Sequence, residues 1–227
     1  MGVRLTPILG WAERGGASAS GHGNSVPRFH ITWGTGPGLV EPFSRFVLEK
    51  EQEGQFKFLP RHQVTDIGIE HNQVTHISGI ILEPSDVERG EKSSRTVIDT
   101  FHYEVDELLI TSGGIGANMP LIRKYWPKRL GNPPKTMIQG VPDSTDGHLI
   151  QVTEDAGANI VNKDRMWHYT EGIQNHSPIW SNHGIRIIPG PSSMWFDATG
   201  KRMAAPDYPG FDTLHTLETI MKTGYDY

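Results

Sequence analysis

The sequence of 227 residues predicts an α/β (α+β) fold. Three observations point there. Short apolar runs with strand patterning alternate with helix-period segments as far as residue 161. The apolar run 107–111 ends in the small-residue turn Ser112-Gly113-Gly114, and a helical segment follows. With 26 glycines and 16 prolines, about one residue in five is a turn former against the usual ~12%, so short elements joined by many loops are expected.

Residues 1–36 read as loop, through GGASASGHGNSVP and GTGPG. A helix is predicted from Gly38, because Leu39, Val40, Phe43, Phe46 and Val47 recur at spacings of three and four and share one face. Gly54 is its expected stop. The run 55–59 (QFKFL) alternates as a strand. Val64, Ile67 and Ile69, then Val74, Ile77, Ile80 and Ile81, predict two strands joined by the turn Glu70-His71-Asn72-Gln73. The charged stretch 83–95 reads as a surface loop, and 97–101 and 107–111 (ELLIT) as two further strands. A short helix is expected over 118–125, and Pro134 and Pro142 bracket a loop.

A second helix is predicted from Thr145 to Ala156 with Gly157 as its stop, burying Leu149, Ile150, Val152 and Ala156. Ser144 or Thr145 serves as its expected N-cap, and Asp146 in the first turn suits the helix dipole. Beyond Val161 aromatic, His, Asn, Pro and Gly residues dominate and the periodicity fades. A domain change is therefore placed there, dividing the chain into 1–160 and 161–227.

Several function classes are excluded by composition. No apolar run approaches the ~20 residues of a membrane span. The formal net charge of −5 and the lack of a Lys/Arg stripe argue against a nucleic-acid binder. With no cysteine there is no disulfide, thiol nucleophile or Cys-ligated metal, which suits a cytoplasmic protein. His168, His176 and His183 stand seven or eight residues apart, too far for the three- or four-residue spacing of a compact metal site, so no metal is expected. No Gly-x-Ser-x-Gly turn is present for a serine hydrolase.

Two segments carry candidate chemistry. After the run LLIT, the turn Ser112-Gly113-Gly114 lets a bulky ligand approach the backbone, and the helix behind it offers free N–H groups. This is where α/β sheets bind nucleotides, although a tight strand-to-helix turn would look the same. The second is STDGHLIQ, where Asp146-Gly147 opens a helix. Capping alone explains those residues.

Order and spacing together add more. The segments FHITWGTGPGLVEPFSRFV, LLITSGGIGAN, STDGHLIQVTEDAGANI and MWFDATGKRM resemble, in sequence order, segments of the FAD-dependent flavoproteins that include fumarate reductases, succinate dehydrogenases and 3-ketosteroid dehydrogenases. The resemblance extends to an FAD-binding dehydrogenase subgroup through TWGTGPG, TSGGIG and RMWHYTEGIQN. It implies a glutathione-reductase-like FAD-binding domain over 1–160 and the start of a capping domain from 161. It further implies that Asp146, with Gly147, lies against the flavin end of the cofactor. Ser112, Gly113 and Gly114 would run along it, and the strand holding Val64 would meet adenine through its backbone.

Hydride removal by a flavin needs a base for the companion proton. Tyr169, His168 and Glu171 in the segment MWHYTEGIQ are the candidates, Tyr169 because ketosteroid dehydrogenases use tyrosines, although Trp167 and Tyr169 also suit a packed core. Fumarate reductases place an arginine after the Gly-Lys-Arg-Phe turn, whereas here none follows Arg202 and Asp212 stands nearby. A carboxylate there is expected to repel a dicarboxylate, which favours a neutral, ketone-like and possibly steroid-like small-molecule substrate.

The family's Gly-x-Gly-x-x-Gly pyrophosphate turn is missing, since Gly34-x-Gly36-x-Gly38 has the wrong spacing. The chain therefore reads as an internal piece of a longer flavoenzyme, expected to hold FAD weakly or not at all and to be inactive alone. Apolar surfaces left uncovered imply self-association. A second reading is a non-enzymatic α/β module that binds a ligand or partner.

Overall fold

A computed structural model describes residues 2–7, 30–88, 91–166, 168–187 and 192–225. The elements in order are β1 (Leu5–Pro7), β2 (His30–Thr32), α1 (Thr35–Gln52), β3 (His62–Glu70), β4 (Gln73–Leu82), β5 (Val97–Glu104), α2 (Met119–Lys124), a 3-10 turn (Lys128–Leu130), α3 (His148–Asp155), β6 (Gly172–Gln174), β7 (Gly184–Arg186) and α4 (Thr213–Lys222). The mixed α/β content matches the predicted class. The run GGASASGHGNSVP and Trp167 lie outside the described residues.

The described residues fall into two compact units, one drawn from 1–59, 167–171 and 187–227, the other from 60–166 and 172–186. The second is built on an antiparallel meander in the order β3-β4-β5. β3 and β4 pair from His62 opposite Ile81 to Glu70 opposite Gln73. His71 and Asn72 form the turn between them with φ of 51° and 65°. Both central residues in the left-handed region are what a two-residue hairpin turn of type I′ requires. Ile67, Leu82 and Phe101 are buried in this sheet. Phe101 stacks on Tyr103 at 5.2 Å between ring centroids. Ile122 in α2, Trp126 and Leu130 after it, and Val152 in α3 are also buried. The hairpin β6-β7 completes this unit.

In the first unit β1 pairs with β2 and α1 follows. Both helix stops expected from glycine are present, and by the same device. At the end of α1, Gly54 has φ +73°, its N–H reaches Glu51 O at 2.9 Å and the Gln55 N–H reaches Lys50 O at 3.0 Å. At the end of α3, Gly157 has φ +95°, with Gly157 N–H to Glu154 O at 2.8 Å and Ala158 N–H to Thr153 O at 3.1 Å. These paired bonds are the Schellman closure, which needs a left-handed residue.

Five expectations need correction. Residues 1–36 are not all loop, since they contain β1, β2 and the start of α1. Residues 55–59 and 107–111 are not strands. Leu109 is 88% exposed. An apolar run becomes a strand only when a neighbour's backbone pairs with it, and among the described residues neither run has one. The helix expected from Thr145 begins at His148, with Gly147 as N-cap at φ 75°. The N-cap has no side chain, so neither Ser144 nor Thr145 caps the helix; Asp146, one residue ahead of the cap, accepts the His148 N–H on Oδ1 at 2.9 Å in an Asx-turn. Finally, α4 lies in the stretch where periodicity fades. Its signal is Asp212, which accepts from the His215 N–H at 2.9 Å, ahead of the buried Leu217.

Two outcomes follow. Gly54→Ala forces a Cβ into the left-handed region and should lower stability by about 1 kcal/mol, read from the urea midpoint. Replacing His71-Asn72 by Asn-Gly suits the turn better and should raise stability by about 1 kcal/mol, read the same way.

Candidate functional site

Two loops meet in the unit that contains the meander. The first is the turn Ser112-Gly113-Gly114, which is exposed along its length. Gly113 has φ +83°. A Cβ added at Gly114 would meet nothing within 4 Å, so this surface is open to a ligand. The second loop is Thr145-Asp146-Gly147. It is fastened to the first by the Ala117 N–H donating to Thr145 O at 2.9 Å.

Asn118 completes the join. Its Nδ2 donates to Asp146 O at 2.9 Å, while its Oδ1 accepts the Leu121 N–H at 3.0 Å and caps α2. Gly147 is buried at the crossing, where a Cβ would stand 2.6 Å from Ile115 Cγ2. The sequence reading placed Asn118 at a helix start but missed its second bond. An Asn two residues ahead of Pro120 is an N-cap signal, whereas the partner 28 residues away has no local trace.

Val64 joins the same site through His148, whose Nε2 lies 3.0 Å from Val64 O. Gln139 supports the loop from behind. It is buried, and its Nε2 donates to Val141 O at 2.9 Å and Asp143 Oδ1 at 2.7 Å. Its carbonyl accepts from Gly184 N–H at 2.8 Å and from Trp180 Nε1 at 3.2 Å. Sequence reading missed Gln139 altogether. Thus Val64, Ser112, Gly113, Gly114, Asp146 and Gly147 all lie in one unit.

Tyr169, His168 and Glu171 belong to the other unit. Tyr169 is 46% exposed and Glu171 is buried, its Oε1 accepting the Gly210 N–H at 3.3 Å. Asp212 is fully buried and spends Oδ1 on capping α4. His183 is buried against Trp180, with ring centroids 3.9 Å apart. Its Nδ1 accepts the Ile179 N–H at 3.1 Å. Among the described residues no group of three or more His, Cys, Asp or Glu is arranged to hold a metal ion.

A cleft of about 1110 Å³ at one end of the meander is lined by Glu70, His76, His102, Glu104, Asp106 and Glu107 among others. Its carboxylates repel phosphate, so it does not suit a dinucleotide. The turn at 112–114 fits better, with small open residues beside one carboxylate.

The chain matches the model of the FAD binding domain family over residues 1–223. A KsdD-like steroid dehydrogenase of Mycobacterium tuberculosis is 54% identical over 226 residues, which is 100% of this chain and 39% of that protein. A KsdD-like steroid dehydrogenase of Mycolicibacterium smegmatis is 53% identical over 226 residues, again 100% of this chain and 41% of the relative. The chain therefore spans about two fifths of the length of the curated relatives it matches. No solved structure matches it significantly. Among the described residues no helix is long and apolar enough to cross a membrane.

Asn118→Ala removes a helix cap and a cross-loop bond together and should cost about 1–2 kcal/mol in urea unfolding. Asn118→Asp keeps the acceptor for Leu121 but cannot donate to Asp146 O, and should fall between the two.

Proposed function

The chain belongs to the FAD binding domain family, and from that premise we propose that Val64, Ser112, Gly113, Gly114, Asp146 and Gly147 form part of an FAD site in a dehydrogenase. The reaction is removal of hydrogen from a CH–CH bond of a neutral, ketone-like substrate. A steroid-like substrate is favoured because the relatives carry that description. The observation that supports the site most directly is the fastening of the open 112–114 turn to the Asp146 loop through Ala117 and Asn118.

The bound flavin would supply hydride acceptance. The rest of the work belongs to the protein. Small residues at 112–114 let the cofactor lie against backbone. A carboxylate accepts from hydroxyls and repels phosphates, so Asp146 suits the polyol at the flavin end rather than the pyrophosphate. Val64 offers backbone to adenine. Of the three proton acceptors proposed, Tyr169 is the strongest, because it is partly exposed while Glu171 already accepts a backbone N–H. His168 remains the alternative. We place the FAD-binding domain, of glutathione-reductase-like topology, over 1–160 and a capping domain from 161 on.

The sequence holds no Gly-x-Gly-x-x-Gly turn, so flavin absorbance at about 450 nm is expected to be lost when the FAD-incubated chain is desalted. Equilibrium titration, followed by quenching of flavin fluorescence, should still show saturable binding. Asp146→Ala should weaken it about tenfold to a hundredfold, the value of a hydrogen bond to a charged acceptor. Equal titration curves for the variant and the parent would refute the assignment.

A further inference from the structure

We propose that His148 is a positioning residue that ties the Asp146 loop to β3 and so holds the flavin-end and adenine-side parts of the candidate site at a fixed separation. The inference rests on the FAD reading of that site. Val64 pairs with Gly79 and Asp66 with Ser78, so Thr65 is the extra residue of a β-bulge. The bulge lies on β3, an edge of the sheet, where backbone groups on the outer side have no strand partner among the described residues. The Val64 carbonyl finds His148 Nε2 at 3.0 Å, across 84 residues of sequence. A carbonyl only accepts, so Nε2 carries the proton in this contact.

The other end of the same residue faces Asp146. The His148 N–H donates to Asp146 Oδ1 at 2.9 Å. One residue therefore links the carboxylate at the head of α3 to the bulge of β3, with its backbone engaged at one end and its imidazole at the other. Its place as the first residue of α3 fixes the direction in which the ring leaves the helix. Neither bond uses the cofactor, so His148 acts through Asp146 and Val64.

The test uses the full chain and three variants. The glutamine amide reaches the position of Nε2, whereas the asparagine amide reaches only that of Nδ1. His148→Gln should therefore retain the tie, and His148→Asn and His148→Ala should break it. NMR of the flavin-free chain should show the Val64 carbonyl and Asp146 amide resonances shifting together in the Ala and Asn variants and returning in the Gln variant. FAD titration should show affinity about threefold to tenfold lower for Ala and Asn, the equivalent of one net hydrogen bond, with Gln near the parent. Circular dichroism shows that each variant is folded. Equal behaviour of Gln and Asn, or an unmoved Val64 resonance in the Ala variant, overturns the positioning role whatever flavin does. Correlated resonance shifts with unchanged FAD affinity leave the tie intact and overturn the proposal through the cofactor reading instead.

Discussion

The Asn118 side chain makes two bonds that point in different directions, one to the Leu121 amide and one to the Asp146 carbonyl. Everything at the candidate site hangs from that fork. The bond to Leu121 starts α2 and so fixes where the 112–114 turn ends. The bond to Asp146 fixes the loop that carries the carboxylate. Gly147 completes the crossing because its backbone is left-handed and because a side chain there would run into Ile115. The site is thus held by polar contacts between loops, and Ile122, Trp126, Leu130 and Val152 in the same unit are buried.

The meander has a complementary role. β3 and β4 are joined by a two-residue turn, and β5 follows antiparallel after the segment 83–96, so the pairing is between neighbours in sequence. Its one irregularity near the site, the bulge at Thr65, is where the Val64 carbonyl becomes available to His148. β3 is also an edge of its sheet, so its outer side has no strand to pair with among the described residues. A local defect of the sheet therefore serves as the attachment point for a helix.

The elements that depart from expectation share a cause. Residues 107–111 have the composition of a strand buried on both faces, and α1 carries an apolar stripe, yet Leu109 is exposed and no described residue of α1 is buried. Such patterns describe the environment a segment suits, and that environment is other backbone and side chains brought alongside.

The sequence by itself determined what is decided within a few residues. The helix of α1 and its Gly54 stop, the hairpin turn at His71-Asn72, the Gly157 stop and the small-residue turn at 112–114 all follow from φ preferences and periodicity. The family was legible too, because four short motifs in order narrow the possibilities more than any one does. Tertiary structure alone decided the rest. It moved Asp146 out of the helix into the turn ahead of it, buried Asp212 at the head of α4, recruited Gln139, and joined Asn118 and His148 to partners 28 and 84 residues away. Bonds across such separations are set by where the chain returns in space, and no local propensity encodes that return.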